Sequence, residues 1–202
     1  MGSRRSRPSP SAPLRTGRRT QRQRDYARRV IRDPEADTEL RVAASREADV
    51  SASIIEEVAA WGVSTGFPSW TPGSFTGVDS VGMSRLRSDI AAGALYLVWR
   101  GDGAVATFSL LERDPIYWPF AGDEALYLHR FAVRRMAAGA GSHAVAWCLR
   151  EASRRGRSLV RLDCLADNPG IRRYYERYGF TAVDETVIDG TRYSLCEVRV
   201  TP

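Results

Sequence analysis

Residues 126–145 constrain the fold more than any other stretch. They run Leu-Tyr-Leu-His-Arg-Phe-Ala-Val, then Arg134-Arg135-Met136-Ala137-Ala138-Gly139-Ala140-Gly141-Ser142, then His143-Ala144-Val145. The first part is dense in apolar and aromatic residues, as a buried strand requires. After two arginines the small residues break it and open a helical pattern. A helix start leaves its first N–H groups unpaired and carries partial positive charge, and glycine lets a bulky group come close to the backbone. Gly139 and Gly141 therefore point to a phosphate-bearing ligand, although a Gly-x-Gly turn before a helix also serves plain packing.

Two other phosphate-binding designs fail on these residues. A Walker loop ends in Lys followed by Ser or Thr, and the chain contains no lysine. A dinucleotide fold needs a third glycine and repeated strand-helix units, whereas here the third glycine is replaced and the strong strand-helix units lie only late in the chain. What remains resembles the acetyl-CoA loop of the GNAT N-acetyltransferase superfamily, Q/R-x-x-G-x-G/A after a strand ending in apolar-Ala-Val, with Met136 in place of the usual Gln or Arg. A second stretch strengthens the resemblance. Residues 158–180 form a strand, an Asn168-Pro169 helix start, a short helix and a Gly179 stop, and Asn168, Tyr175, Gly179 and Phe180 match the family's second motif in order and spacing.

The resemblance implies an α+β fold: a central mixed, mostly antiparallel sheet of about seven strands flanked by helices, with the fourth and fifth strands splayed around the pantetheine. It implies acetyl-CoA as co-substrate, no metal, and transfer of acetyl to a primary amine by direct attack. Cofactor contacts would fall on Phe131, Ala132, Val133, Met136, Ala138, Gly139, Ala140, Gly141, Ser142, Asn168 and Arg172. Backbone N–H groups supply most of them, near Val133 for the acetyl carbonyl and from Met136 to Ser142 for the pyrophosphate. Tyr175 falls where many members place the acid that protonates the departing thiolate, with Tyr174 expected in the core because it faces elsewhere on the helix. His129 lies on a strand similar to that of arylalkylamine N-acetyltransferase, where a histidine lies in the proton-removal path, but Tyr127 replaces the first of that family's two histidines. A packing role for Tyr175, a structural role for His129 and a helix-capping role for Asn168 stand beside these readings. His143 is read as structural.

Elsewhere the chain reads as strand, helix and turn. Leu40–Ala44 is a short strand, and Asp49 caps a helix running towards Trp61. Residues 63–83 are rich in Gly and Pro around Phe67, Trp70 and Phe75. A helix from Ser84 to Ala92 follows, and a hairpin turns at Gly101-Asp102-Gly103. Residues 115–122 hold Tyr117, Trp118 and Phe120, and a last hairpin turns at Asp189-Gly190. Trp70 and Tyr117 are candidate substrate contacts, and aromatics capping the core are the plain alternative.

The formal charge of +6 is unevenly placed. Residues 1–36 carry 11 Arg against Asp25, Asp33 and Glu35, so the remainder is slightly acidic. This Pro- and Ser-containing segment cannot bury enough apolar surface to offset chain entropy. It is expected to be a disordered extension, with a helical turn or two around 21–31, before an acetyltransferase domain spanning 37–202. Its basicity alone does not argue for a nucleic-acid partner. Met1-Gly2 with Ser6 fits the myristoylation pattern and the Arg-rich start resembles a transit peptide, but such short matches carry no address. No apolar run approaches a membrane span. Cys148, Cys164 and Cys196 lack metal spacing and read as reduced, buried thiols, so a cytoplasmic protein without membrane contact is expected. The acidic domain and aromatic loops favour a small-molecule cationic amine as acceptor. A protein or peptide amine, or an inactive CoA-binding sensor module, is the alternative. A homodimer is compatible with all three.

Overall fold

The computed structural model describes residues 38–77, 79–119 and 122–201. The expected tail, including its helical turns, lies outside the described residues. Among the described residues, seven strands form one sheet in the order β1-β2-β3-β4-β5-β7-β6. They are β1 (Thr38–Val42), β2 (Leu95–Arg100), β3 (Gly103–Leu111), β4 (Ala125–Val133), β5 (Leu159–Leu165), β6 (Thr181–Ile188) and β7 (Thr191–Arg199). Four helices flank them: α1 (Ala48–Ser64), α2 (Val81–Ala91), α3 (Ala140–Arg154) and α4 (Pro169–Glu176). All neighbouring pairs are antiparallel except β4–β5. This is the mixed sheet expected from the sequence.

Strand alternation sorts the core into two layers. On one face Val98, Phe108, Leu126, Leu128 and Val160 meet α3 and α4. Ala140, Ala144, Cys148 and Ala152 recur every fourth residue along α3, and these small side chains bring the helix close to the sheet. On the other face Leu95, Leu97 and Ala132 pack with Ile54 and Ile55 of α1 and Leu86 of α2. Burying each large apolar side chain contributes about 1.5–3 kcal/mol.

Three local expectations change. The first strand is Thr38–Val42 rather than Leu40–Ala44, because polar Thr38 and Glu39 are tolerated on an edge strand that pairs only with β2. Asp49 is not the cap of α1. A single 3₁₀ turn, Ser45–Glu47, runs directly into the helix, so Asp49 lies within the first turn. Glu47 instead binds Arg41 at 2.7 and 2.8 Å and the Ala44 N–H at 2.7 Å, and the Arg41 guanidinium lowers its carboxyl to about 2. Ser80 caps α2 through the Met83 N–H, so that helix begins earlier than Ser84. In the 63–83 loop, the Glu56 carboxylate receives the N–H groups of Gly73 and Phe75, which fastens the segment to α1.

β4 carries the functional geometry. It pairs with β5 only from Ala125↔Leu159 to Leu128↔Leu162, while its pairing with β3 continues to Val133. Beyond Leu162, β5 is held by β7 alone, through Asp163↔Leu195, Cys164↔Ser194 and Leu165↔Tyr193. The two central strands therefore part at His129 and Asp163. A bulge falls at the same place. Ser109 faces His129 and Thr107 faces Ala132, so β4 has one residue more than β3, and Arg130 takes φ +48°. Its guanidinium bonds Asp89 of α2, which also accepts from the Ser109 hydroxyl.

Candidate active site

The turn after β4 is built as its glycines suggested. Gly139 takes φ +84° at the N-cap of α3, a conformation that strains residues with a Cβ, and no side chain caps the helix. Arg100 of β2 donates to the Ala138 carbonyl at 3.0 Å, and Arg134 N–H donates to Val105 O at 2.9 Å, which clamps the turn to the sheet. The Ala140 N–H turns back to the Ala137 carbonyl at 3.2 Å, and no side chain caps the N–H groups that follow it at the start of α3. Met136 is 95% exposed, so any role of this residue in ligand binding falls to its backbone. Ala132 points into the opposite core layer, leaving only its backbone for the cleft.

Gly141 has a second reason to be glycine. A Cβ there would lie 2.5 Å from the Tyr174 hydroxyl and 3.4 Å from Val133 Cγ2. Tyr174 is thus not the core member of the tyrosine pair. Tyr175 is the more deeply buried, at 6% exposed and against Phe180, while Tyr174 is partly buried and turns its hydroxyl to the start of α3 beside Phe131. The reason is the angular step of about 100° per helical residue, which sends neighbours to different faces. Burial pushes the Tyr175 phenol well above its ordinary value, with Cys164 and Asp163 nearby adding to the effect. Such a phenol holds its proton at neutral pH. Tyr178 joins the cluster by sharing a hydrogen bond with Ser142 Oγ at 2.9 Å. Asn168 caps α4, its Oδ1 accepting from Gly170 and Ile171 at 3.0 and 3.1 Å. Arg172 is exposed on the same helix.

Where β4 and β5 part, three side chains meet. His129 Nε2 lies 2.9 Å from Asp114 Oδ2, and Nδ1 lies 3.3 Å from Asp163 Oδ1. Tyr117 stands 5.8 Å from the imidazole and 5.1 Å from Tyr193, ring centre to ring centre. Burial raises the Asp163 carboxyl to about 6, with the His129 charge working against that rise. Burial also pushes the Tyr117 phenol up. The two aspartates and the histidine offer ligand atoms within 4.8 Å of one another. The sequence expectation of a metal-free site thus meets, among the described residues, a set of donors that could hold a cation. Trp70 is placed differently from Tyr117. It packs edge-on against Phe75, at 6.3 Å, on the α1–α2 core.

Sequence reasoning did not single out Asp114, Asp163 or Arg100. Asp163 carried a signal, an acid inside the strand Leu-Val-Arg-Leu-Asp-Cys-Leu. Asp114 in an Asp-Pro turn and Arg100 at a strand end carried none. All three cysteines are free and buried, and among the described residues no helix is long and apolar enough to cross a membrane.

The comparisons with known proteins agree with this geometry. The chain is 26% identical over 162 residues to the uncharacterized N-acetyltransferase YesJ of Bacillus subtilis, a match covering 77% of this chain and 86% of YesJ. An acetyltransferase of the GNAT family from Listeria monocytogenes superposes with TM-score 0.64 at 19% identity, over 81% of this chain and 95% of that one. YncA, a putative acetyltransferase from Salmonella typhimurium solved with acetyl-CoA, superposes with TM-score 0.56 at 14% identity, over 81% and 94%. The acetyltransferase (GNAT) family profile matches residues 66–180, more than half of the chain, and the protein belongs to that family of N-acetyltransferases.

Proposed function

We propose that the protein transfers an acetyl group from acetyl-CoA to the primary amine of a small cationic molecule, by direct attack, with Tyr175 as general acid. The observation that carries this reading is the parting of β4 and β5, with an uncapped helix start at its open end and titratable side chains at its closed end. The residues present suit the cofactor. Gly139 to Ser142 would receive the pyrophosphate on backbone N–H groups, and the pantetheine would run between the strands past Phe131 and Val133. Bound there, acetyl-CoA supplies the activated thioester.

The chain's own groups supply the rest. The β4 backbone near Val133 polarises the acetyl carbonyl, Tyr175 gives its proton to the departing sulfur, and His129 takes the proton lost by the amine. Asp163, Asp114 and the rings of Tyr117 and Tyr193 favour a cationic acceptor with apolar character over a neutral one. The test is an acetyl-CoA consumption screen across small amines and N-terminal peptides. Consumption with small cationic amines supports the proposal, preference for peptides replaces the acceptor, and tight binding without consumption makes the protein a sensor. Tyr175→Phe keeps the ring in the core and removes the hydroxyl, so turnover should fall on the order of 10²–10⁴-fold with CoA affinity unchanged. Full turnover in this variant would transfer the acid role to another group.

A further inference from the structure

The two nitrogens of His129 are not equivalent. Asp114, only 6% exposed, is wrapped by its own loop. Its Oδ1 accepts the N–H groups of Ile116 and Tyr117, both at 3.2 Å, and its backbone carbonyl accepts from Trp118 at 2.9 Å. This is an Asx-type turn, in which the carboxylate replaces a backbone acceptor. Oδ2 is left to face His129 Nε2 at 2.9 Å. A neutral ring donates from one nitrogen only, and the shorter contact, to a carboxylate fixed by its own loop, assigns that proton to Nε2 and leaves the lone pair on Nδ1. Nδ1 points to the parting of the strands, where Asp163 stands at the longer distance of 3.3 Å.

We propose that Asp114 is a positioning residue: it holds the His129 imidazole with its proton on Nε2, so that Nδ1 at the apex of the cleft receives the proton released by the attacking amine. The proposal rests on the N-acetyltransferase reading and adds a residue to it. In the step, the amine nitrogen bonds to the acetyl carbon and the carbon–sulfur bond breaks. The amine proton goes to Nδ1, and the thiolate takes a proton from Tyr175. His129 then carries a positive charge between two carboxylates, and Asp163 is placed to pass the proton onward. Other elements also face this group. Tyr117 comes from the Asp114 loop, Tyr193 from β7, and Arg130 follows on β4, its guanidinium drawn away to Asp89. A loop carboxylate that organises both its own turn and the imidazole also ties the Tyr117 wall to the base, so the pocket wall and the proton acceptor are set by one side chain.

Asp114→Asn is the informative variant. The amide oxygen can still accept from Ile116 and Tyr117, so the turn persists. The amide nitrogen then faces Nε2 as a donor and drives the ring proton to Nδ1. The chain has two histidines, so nitrogen NMR of the histidine-labelled protein gives two imidazoles, and His129→Gln identifies which is which. The expected result is Nε2–H in the wild type at pH 8 and Nδ1–H in Asp114→Asn. Turnover with amine should fall on the order of 10²–10⁴-fold while the CoA dissociation constant stays the same, and the acidic limb of kcat/KM should be lost or displaced. Nδ1–H in the wild type overturns the inference, as does an Asn variant with unchanged tautomer. A variant whose tautomer flips while turnover stays at the wild-type rate overturns it too, and leaves the N-acetyltransferase reading in place. If no amine is acetylated by the wild type, that reading fails, and the tautomer measurement still decides what Asp114 does.

Discussion

The two ends of the β4–β5 cleft are made of different materials. The open end is backbone: a turn clamped by Arg100 and Arg134, a left-handed glycine and the bare start of α3. The closed end is side chain: Asp114 from a loop, His129 from β4 and Asp163 from β5. A backbone site needs one contiguous segment with the right conformation, and the exposed Met136 side chain leaves that conformation unchanged. A side-chain site needs partners brought together by the whole sheet. The first kind is suited to a constant ligand and the second to a variable one.

Substitutions can break this contrast at either end. The largest effect is expected at Gly139. Gly139→Val places a β-branched residue at φ +84°, a strain of about 1–3 kcal/mol that the turn would relieve by leaving its clamped shape. Calorimetry should show acetyl-CoA binding weakened by roughly 5- to 150-fold in a folded protein. Unchanged affinity would mean that the ligand does not use this turn.

Gly141 tests whether the tyrosines belong to the backbone end. Gly141→Ala sets a methyl against the Tyr174 hydroxyl, and crowding of this kind costs about 1–3 kcal/mol, which thermal unfolding should report as a fall of several degrees. Adding Tyr174→Phe removes the offending oxygen and should recover most of the loss. Two independent losses instead would show that the close approach is not what makes Gly141 glycine.

The smallest effect is expected at the side-chain end, and its sign follows from proton linkage. Burial raises the Asp163 carboxyl to about 6 from an ordinary 3.8, so between these values the folded protein binds more protons than the unfolded chain. Stability from this group is therefore full below pH 3.8 and declines as pH rises through 6. Asp163→Asn should melt a few degrees higher than the wild type at pH 8, with the advantage shrinking as pH falls below 6. A variant that melts lower at pH 8 would show that the His129 contact outweighs the cost of burial.

The backbone end of this contrast is legible in the order of residues, and the side-chain end is not. Gly139, Asn168, Gly179 and the Asp189-Gly190 turn each mark a backbone conformation, and backbone conformation is a local property. The hairpins and the α3 and α4 starts follow from them. The Asp114–His129–Asp163 group does not, because strand order decides which residues meet and no local pattern reports it. The tyrosine pair shows the same limit. Motif spacing singles out Tyr175, but which neighbour turns inward depends on how α4 is rotated against the sheet, where Tyr175 joins Tyr178 and Phe180 in the core.

The parting of the strands also bears on how the protein breathes. The centre of a sheet is ordinarily where amide protons exchange slowest, because opening them requires global unfolding. Here the ladder between the two central strands stops at Leu128, so the middle of the sheet contains a seam that local fluctuation can widen. A ligand filling the seam would couple its two walls and add RT ln(1 + [L]/Kd) to the folded state. Cofactor supply would then govern the lifetime of the enzyme as well as its rate.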